Sequence, residues 1–146
     1  MLFKNEEASL QLDIVNYALS DWDGEDYGDD QNWLVLRATW INEDGEIVKD
    51  SNDCLLTYEL TEMTAGLKVL NAGIRDCYES MFTDPYFTLS ACADGEDHFQ
   101  VYVSFYLPNI MEGEDTAELK TTMDKQQMTA LIAELDRLCA KFPDRP

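Results

Sequence analysis

Residues 99–107, FQVYVSFYL, alternate without a break: Phe99, Val101, Val103, Phe105 and Leu107 fall on one side, Gln100, Tyr102, Ser104 and Tyr106 on the other. Successive side chains of a strand point to opposite faces, so this period gives a strand with one apolar face that something must cover. Just upstream, Phe87, Leu89 and Ala91 alternate with Thr88 and Ser90, and Asp94-Gly95 supplies a turn between the two runs. The pair predicts an antiparallel hairpin, which Pro108 is expected to end because it has no N–H to give to a ladder.

The same period returns in residues 9–18, through Leu10, Leu12 and Ile14, and in Trp33–Ile41, through Leu34, Leu36, Ala38 and Trp40. Trp33, opening its strand, reads as core. Asp44-Gly45 marks a hairpin, and a short strand Ile47–Lys49 is expected to return from it. Residues 109–116 read as a loop, and 117–123 as a further strand.

Two segments change to a spacing of three and four. Leu56, Leu60, Met63, Leu67 and Leu70 make one helical face over about 57–72, with Thr57 as N-cap, Glu59 in the first turn and Gly73 as the stop. Gly66 is an unfavourable residue within it. Met128, Leu131, Ile132, Leu135, Leu138 and Phe142 make a second face over about 124–142, capped by Asp124 and followed by Pro143. Strands come as hairpins and do not alternate singly with helices. The expected class is therefore α+β: a mostly antiparallel sheet or sandwich of about six to seven strands with two amphipathic helices. No repeat or linker is visible, so residues 1–146 are expected to form a single domain. A chain of this length buries roughly 68–70% of its unfolded surface, enough for a core without staples.

Charge narrows the function. Thirty acids stand against 10 bases, a formal net charge of -20. A nucleic-acid binder needs a basic stripe, and an anionic membrane would repel this chain, so both are excluded as partners. The charge is also unevenly spread, with no Lys or Arg between Lys4 and Arg37 or between Arg75 and Lys120. Such clustering points to an acidic face for a basic protein partner. Cys54, Cys77, Cys92 and Cys139 show no metal-ligand spacing and lie near apolar residues, so they read as reduced core thiols. The start MLFKNEEASL has no apolar signal region, and no apolar run approaches membrane-spanning length. The expected location is cytoplasmic, where disulfides are rare.

No catalytic constellation is present. His98 is the only histidine, and it reads as a turn residue beside Asp97. Phosphate-binding, nucleophile-elbow and zinc-protease motifs are missing. No cofactor is expected, and the chain reads as non-enzymatic.

The densest acidic stretch is SDWDGEDYGDDQNW, residues 20–33, with six carboxylates and no cation. A calcium loop of the EF-hand type counted from Asp21 would place Asp26 where Gly is required and Asn32 where a bidentate Glu is required, so no metal site is assigned. Two readings remain for Asp21, Trp22, Asp23, Glu25, Asp26, Tyr27, Asp29 and Asp30. In one they form a partner-binding loop, the acids steering a cationic protein and the aromatics anchoring it. In the other, Trp22 folds back onto the sheet and the acids are merely solvated.

Four segments resemble one family. They are Asp21-Trp22-Asp23 running into Asn32-Trp33-Leu34-Val35-Leu36; Cys54-Leu55-Leu56-Thr57-Tyr58-Glu59-Leu60 opening a helix; Phe82-Thr83-Asp84-Pro85 before an alternating strand; and Phe142-Pro143-Asp144-Arg145 after the last helix. In this order and spacing they resemble the WapI-type immunity proteins of bacterial contact-dependent toxin systems, over about residues 10–145. The resemblance implies a small, cytoplasmic, non-enzymatic protein that neutralises a cognate toxin domain by direct binding. Such toxins are often nucleases, whose basic clefts suit an acidic inhibitor. A general acidic adaptor domain and a nucleic-acid mimic are the competing readings. The oligomeric state and the identity of the partner are left open by the residues.

Overall fold

The computed structural model describes residues 1–111 and 114–146. It contains two antiparallel four-stranded sheets, each strand paired with its neighbour in sequence. The first holds β1 (Leu2–Lys4), β2 (Ser9–Tyr17), β3 (Trp33–Ile41) and β4 (Ile47–Leu56), and leads into α1 (Thr57–Asn71). The second holds β5 (Cys77–Glu79), β6 (Phe87–Ala93), β7 (His98–Met111) and β8 (Glu114–Asp124), and leads into α2 (Lys125–Lys141). The α+β class and both helices are as the periodicity requires, with eight strands where six to seven were expected. The order of four strands then a helix occurs twice, although the sequence shows no repeat.

The alternation decides what is buried. Leu10, Leu12, Leu34, Leu36 and Ala38 from the first sheet and Phe87, Leu89, Val101, Val103 and Phe105 from the second join one apolar cluster. Leu60, Met63, Leu67 and Leu70 of α1 and Met128, Leu131, Ile132 and Leu135 of α2 complete it. The helices pack on each other, and Lys68 pairs with Asp136 at 2.8 Å on the surface.

The helix ends follow the expected chemistry with one change. Asp124 accepts from the Gln127 N–H at 2.7 Å while the Gln127 side chain accepts from the Asp124 N–H at 2.8 Å, a capping box. Gly73, at φ +75°, closes α1, its N–H donating to Leu70 and that of Ile74 to Val69. Thr57 is not the N-cap: it is the first helical residue, and Leu56 holds the cap position. The cap N–H is satisfied instead by Glu59, which accepts from Leu56 at 3.1 Å and from Thr83 at 2.7 Å.

Several strand limits also move. β4 runs to Leu56, well beyond Lys49, because it pairs with the whole length of β3. β7 continues through Pro108 to Met111, with a register shift between Tyr106 and Met111 that accommodates the missing donor, so the expected loop over 109–116 is mostly strand; residues 112–113 lie outside the described residues. β1 and β5 have three residues each, too few to display a period. Cys77 and Cys92 face each other across β5 and β6 and are disulfide-bonded on the exposed surface, so they are not reduced core thiols. Cys54 is a buried free thiol and Cys139 a half-buried one.

Gly66 has a packing reason. A Cβ built there would overlap the ring of Tyr78, which lies against α1 from β5. Burial, with Glu62 and Glu59 adding to it, pushes the Tyr78 phenol up to about 12. Gly→Ala within a helix normally stabilises by about 1 kcal/mol. Here Gly66→Ala is expected to lower the urea midpoint. A second change, Tyr78→Ala, is expected to remove that extra cost, so a double-mutant cycle in urea should give a clearly non-additive result.

Candidate functional site

The acidic stretch lies between β2 and β3 and ends in a short 3-10 helix, Gly28–Asn32. It is shaped by its own polar groups. Asp23 accepts from the Glu25 N–H at 2.9 Å, and Asp26 accepts from the Gly28 N–H at 2.8 Å. The Tyr27 hydroxyl donates to the other Asp23 oxygen at 2.6 Å, and the Trp22 indole N–H donates to the Glu25 carbonyl at 2.7 Å. Short acidic side chains that cap their own backbone in this way are the usual makers of turns.

The loop is then fastened from the far end of the chain. Arg145, just past α2, lays its guanidinium 3.5 Å from the Tyr17 ring centroid and 5.3 Å from that of Trp22. One of its nitrogens donates to the Leu19 carbonyl at 2.7 Å. Its backbone N–H donates to the Asn32 side chain at 2.7 Å, and its carbonyl accepts from Gln31 at 2.9 Å and Asn32 at 3.1 Å. Gln31, fully buried, also accepts from the Tyr27 N–H at 2.7 Å. Tyr17 completes the attachment: its hydroxyl donates to the Pro143 carbonyl at 2.7 Å and its ring meets Phe142 edge-on at 5.5 Å. A planar cation stacked on two aromatic rings loses little freedom per contact, which suits arginine here and not lysine.

The result is a concavity of about 410 Å³. Its walls include Asp21, Asp23, Asp30 and Asp53, with Leu19 and the aromatic side chains of Tyr27 and Trp33. Of the expected site residues, Asp21, Asp23, Tyr27 and Asp30 therefore meet around one groove. Trp22 is half-buried over Arg145, and Glu25, Asp26 and Asp29 are exposed around the loop. Trp33 is corrected: it is a half-buried groove wall and does not join the apolar cluster, because it alternates with the inward Leu34 and so takes the opposite face of β3. Asp53, from β4, is an addition that spacing could not reveal, since only strand pairing brings it beside the loop (Val35↔Asp53). Gln31, Asn32 and Arg145 position the groove; two of these three lie in the quoted segments, but nothing in the sequence says that those segments touch.

Neither the lone histidine nor the buried thiol lines this groove. His98 is exposed at the start of β7. Burial, with Asp84, Asp53 and Glu59 adding to it, pushes the Cys54 thiol up to about 12, so it carries almost no thiolate at neutral pH. Among the described residues, no group of three His, Cys, Asp or Glu side chains is placed to hold a metal ion.

Two outcomes follow from the loop's bonding. Arg145→Ala should cost about 2 kcal/mol through the lost stacking and charge-assisted bond, seen as faster amide exchange confined to residues 19–32. Tyr27→Phe should raise the Asp23 pKa, because the Tyr27 hydroxyl, helped by the Glu25 N–H, holds that carboxyl below its ordinary value. A depressed folded-state pKa means the contribution is present above the unfolded carboxyl range and is lost as pH falls through the folded value. A carboxyl-carbon NMR titration of both proteins reads the shift.

One solved structure shares the fold at the level of its architecture. The crystal structure of WHY1 from Arabidopsis thaliana superposes with a TM-score of 0.50 at 14% identity, covering 97% of this chain and 88% of that one. WHY3 from the same plant gives 0.47 at 10% identity, covering 97% and 86%. At these identities the WHY1 likeness is one of fold alone. No curated protein matches the sequence. The family model described as the immunity protein WapI-like family matches residues 1–143, which takes in β1 through α2 and the acidic loop and stops short of Arg145. The chain belongs to the WapI-like immunity protein family.

Proposed function

We propose that the protein is a non-enzymatic immunity protein that neutralises one cognate toxin domain, a basic one, by direct binding. The docking site is the loop of Asp21, Trp22, Asp23, Glu25, Asp26, Tyr27, Asp29 and Asp30, extended by Trp33 and Asp53. The observation that carries this reading is the groove in which four carboxylates converge between Tyr27 and Trp33. A lysine or arginine entering there would meet several carboxylates and an aromatic face in a site already shaped by Arg145. Pre-formed sites of this kind bind without first having to order a loop.

The surrounding charge has a separate effect. A field from a net charge of -20 can raise encounter rates with a cationic partner toward roughly 10⁸–10⁹ M⁻¹s⁻¹ at low salt. The same field disfavours nucleic acid and anionic lipid. The proposed compartment is the cytoplasm, and among the described residues no helix is long and apolar enough to cross a membrane. Under reducing conditions the Cys77–Cys92 pair is expected as two thiols, with β5 still held by its ladder to β6 and by Tyr78.

Affinity capture from a lysate of the source organism, loaded at low salt and eluted with rising salt, tests the reading. One dominant basic protein with a toxin domain is expected, and the variant Asp21→Asn/Asp23→Asn/Asp30→Asn should release it at much lower salt. A broad set of basic proteins, or retention indifferent to the variant, would contradict the assignment.

A further inference from the structure

Two four-stranded sheets have four edges; β1 and β5 are short, and β8 is met by the β1 end along part of its length. β1 and β8 face one another through side chains: Asn5 donates to the Lys120 carbonyl at 2.9 Å and Thr121 to the Lys4 carbonyl at 2.7 Å. β5 is only three residues long, too short to template a strand of any length. β4 has ten residues and β3 as its single sheet neighbour. Its last three residues are buried, and the open stretch Ile47–Asp53 is a template for another strand.

The ladder fixes which groups β4 offers. The Asn42 N–H donates to the Glu46 carbonyl at 3.1 Å, and opposite residues then alternate between bonded and non-bonded pairs. Trp40–Val48, Ala38–Asp50 and Leu36–Asn52 are in phase with that bond. The N–H and C=O groups of Ile47, Lys49, Ser51 and Asp53 therefore point away from β3. The Ser51 N–H accordingly turns to the carboxylate of Asp50 at 2.9 Å. Among the described residues, no backbone group from elsewhere bonds to this row.

We infer that the β4 edge, Ile47–Asp53, takes an extended, lysine- or arginine-bearing segment of the partner as an added antiparallel or parallel strand. Charge selects that occupant. Glu43, Asp44, Glu46, Asp50 and Asp53 surround the edge, against Lys49 and, across the ladder from Ser51, Arg37, which pairs with Asp13 at 3.6 Å. Two copies of β4 laid together would bring these acids into opposition, so self-pairing is disfavoured. The edge also leads into the acidic groove, because Asp53 belongs to both. A strand lying along β4 would carry its side chains to the groove while its backbone supplies the ladder, as in other cases of strand addition. The inference rests on the proposed binding of a basic partner and adds the backbone mode by which it is held.

The test uses a ten-residue peptide of alternating Lys and Val, the same peptide N-methylated at alternate amides, and one with Glu for Lys, against the full-length protein. With the Lys peptide, amide exchange of Ile47, Lys49, Ser51 and Asp53 should slow, and N-methylation should weaken binding about tenfold or more. Ser51→Pro should do the same, because it removes an outward N–H and leaves the β3 ladder in place; the methylated peptide gives the same information should that variant not fold. Absence of binding at millimolar peptide, equal binding of the methylated peptide, or protection elsewhere overturns the edge inference. If binding survives Ser51→Pro but is lost in Asp21→Asn/Asp23→Asn/Asp30→Asn, the edge inference fails and the acidic docking site stands. If the Glu peptide binds β4 as well as the Lys peptide does, the preference for a basic partner fails while strand addition remains.

Discussion

The guanidinium of Arg145, held between Tyr17 and Trp22, is the contact on which the acidic face depends. Six carboxylates within residues 20–33 repel one another, and a loop carrying them would be expected to splay apart. One cation brought from the other end of the chain offsets part of that repulsion, stacks on a ring from each side of the loop's start, and fixes the backbone through Gln31 and Asn32. The loop can then present acids in a definite arrangement and still remain strongly negative. Order and charge, which ordinarily oppose each other, are both kept.

A second attachment of the same kind holds the fold's middle. Glu59 is buried at the start of α1, where the helix dipole favours a negative charge, and bonds Leu56 at one end and Thr83 at the other. The four segments that resemble immunity proteins thus fall into two touching pairs. The loop before β3 meets the segment after α2 through Arg145, and the start of α1 meets the Phe82–Pro85 turn through Glu59. These residues are structural clasps, and the groove is a product of the first clasp.

Much of this fold was legible because burial follows period. Leu34, Leu36, Ala38 and Trp40 go inward, and so do Phe99, Val101, Val103, Phe105 and Leu107, as alternation requires. What escaped was either too short to show a period, as with β1 and β5, or decided by contacts distant in sequence. Gly66 looks like a defect until Tyr78 is seen against it. Cys77 and Cys92 look like two small core residues until the β5–β6 register makes them neighbours. For the site, the acids and Tyr27 could be named from composition, but their grouping into a groove with Trp33 and Asp53 is a tertiary fact. Arg145 sits far from the loop in sequence, and only the folded chain shows that it completes it.

The central claim is that convergent carboxylates in the groove, more than the chain's overall acidity, govern binding to a basic partner. The most direct measurement is the association rate with the captured toxin domain across ionic strength, for the parent and for two variants of equal charge. One is neutralised at Asp21, Asp23 and Asp30, the other at Glu96, Asp97 and Asp136 elsewhere on the surface. The account predicts a rate that falls steeply with salt for the parent and the distal variant, and a slower, flatter dependence for the groove variant alone. Equal loss in both variants, or a rate independent of salt, would contradict it.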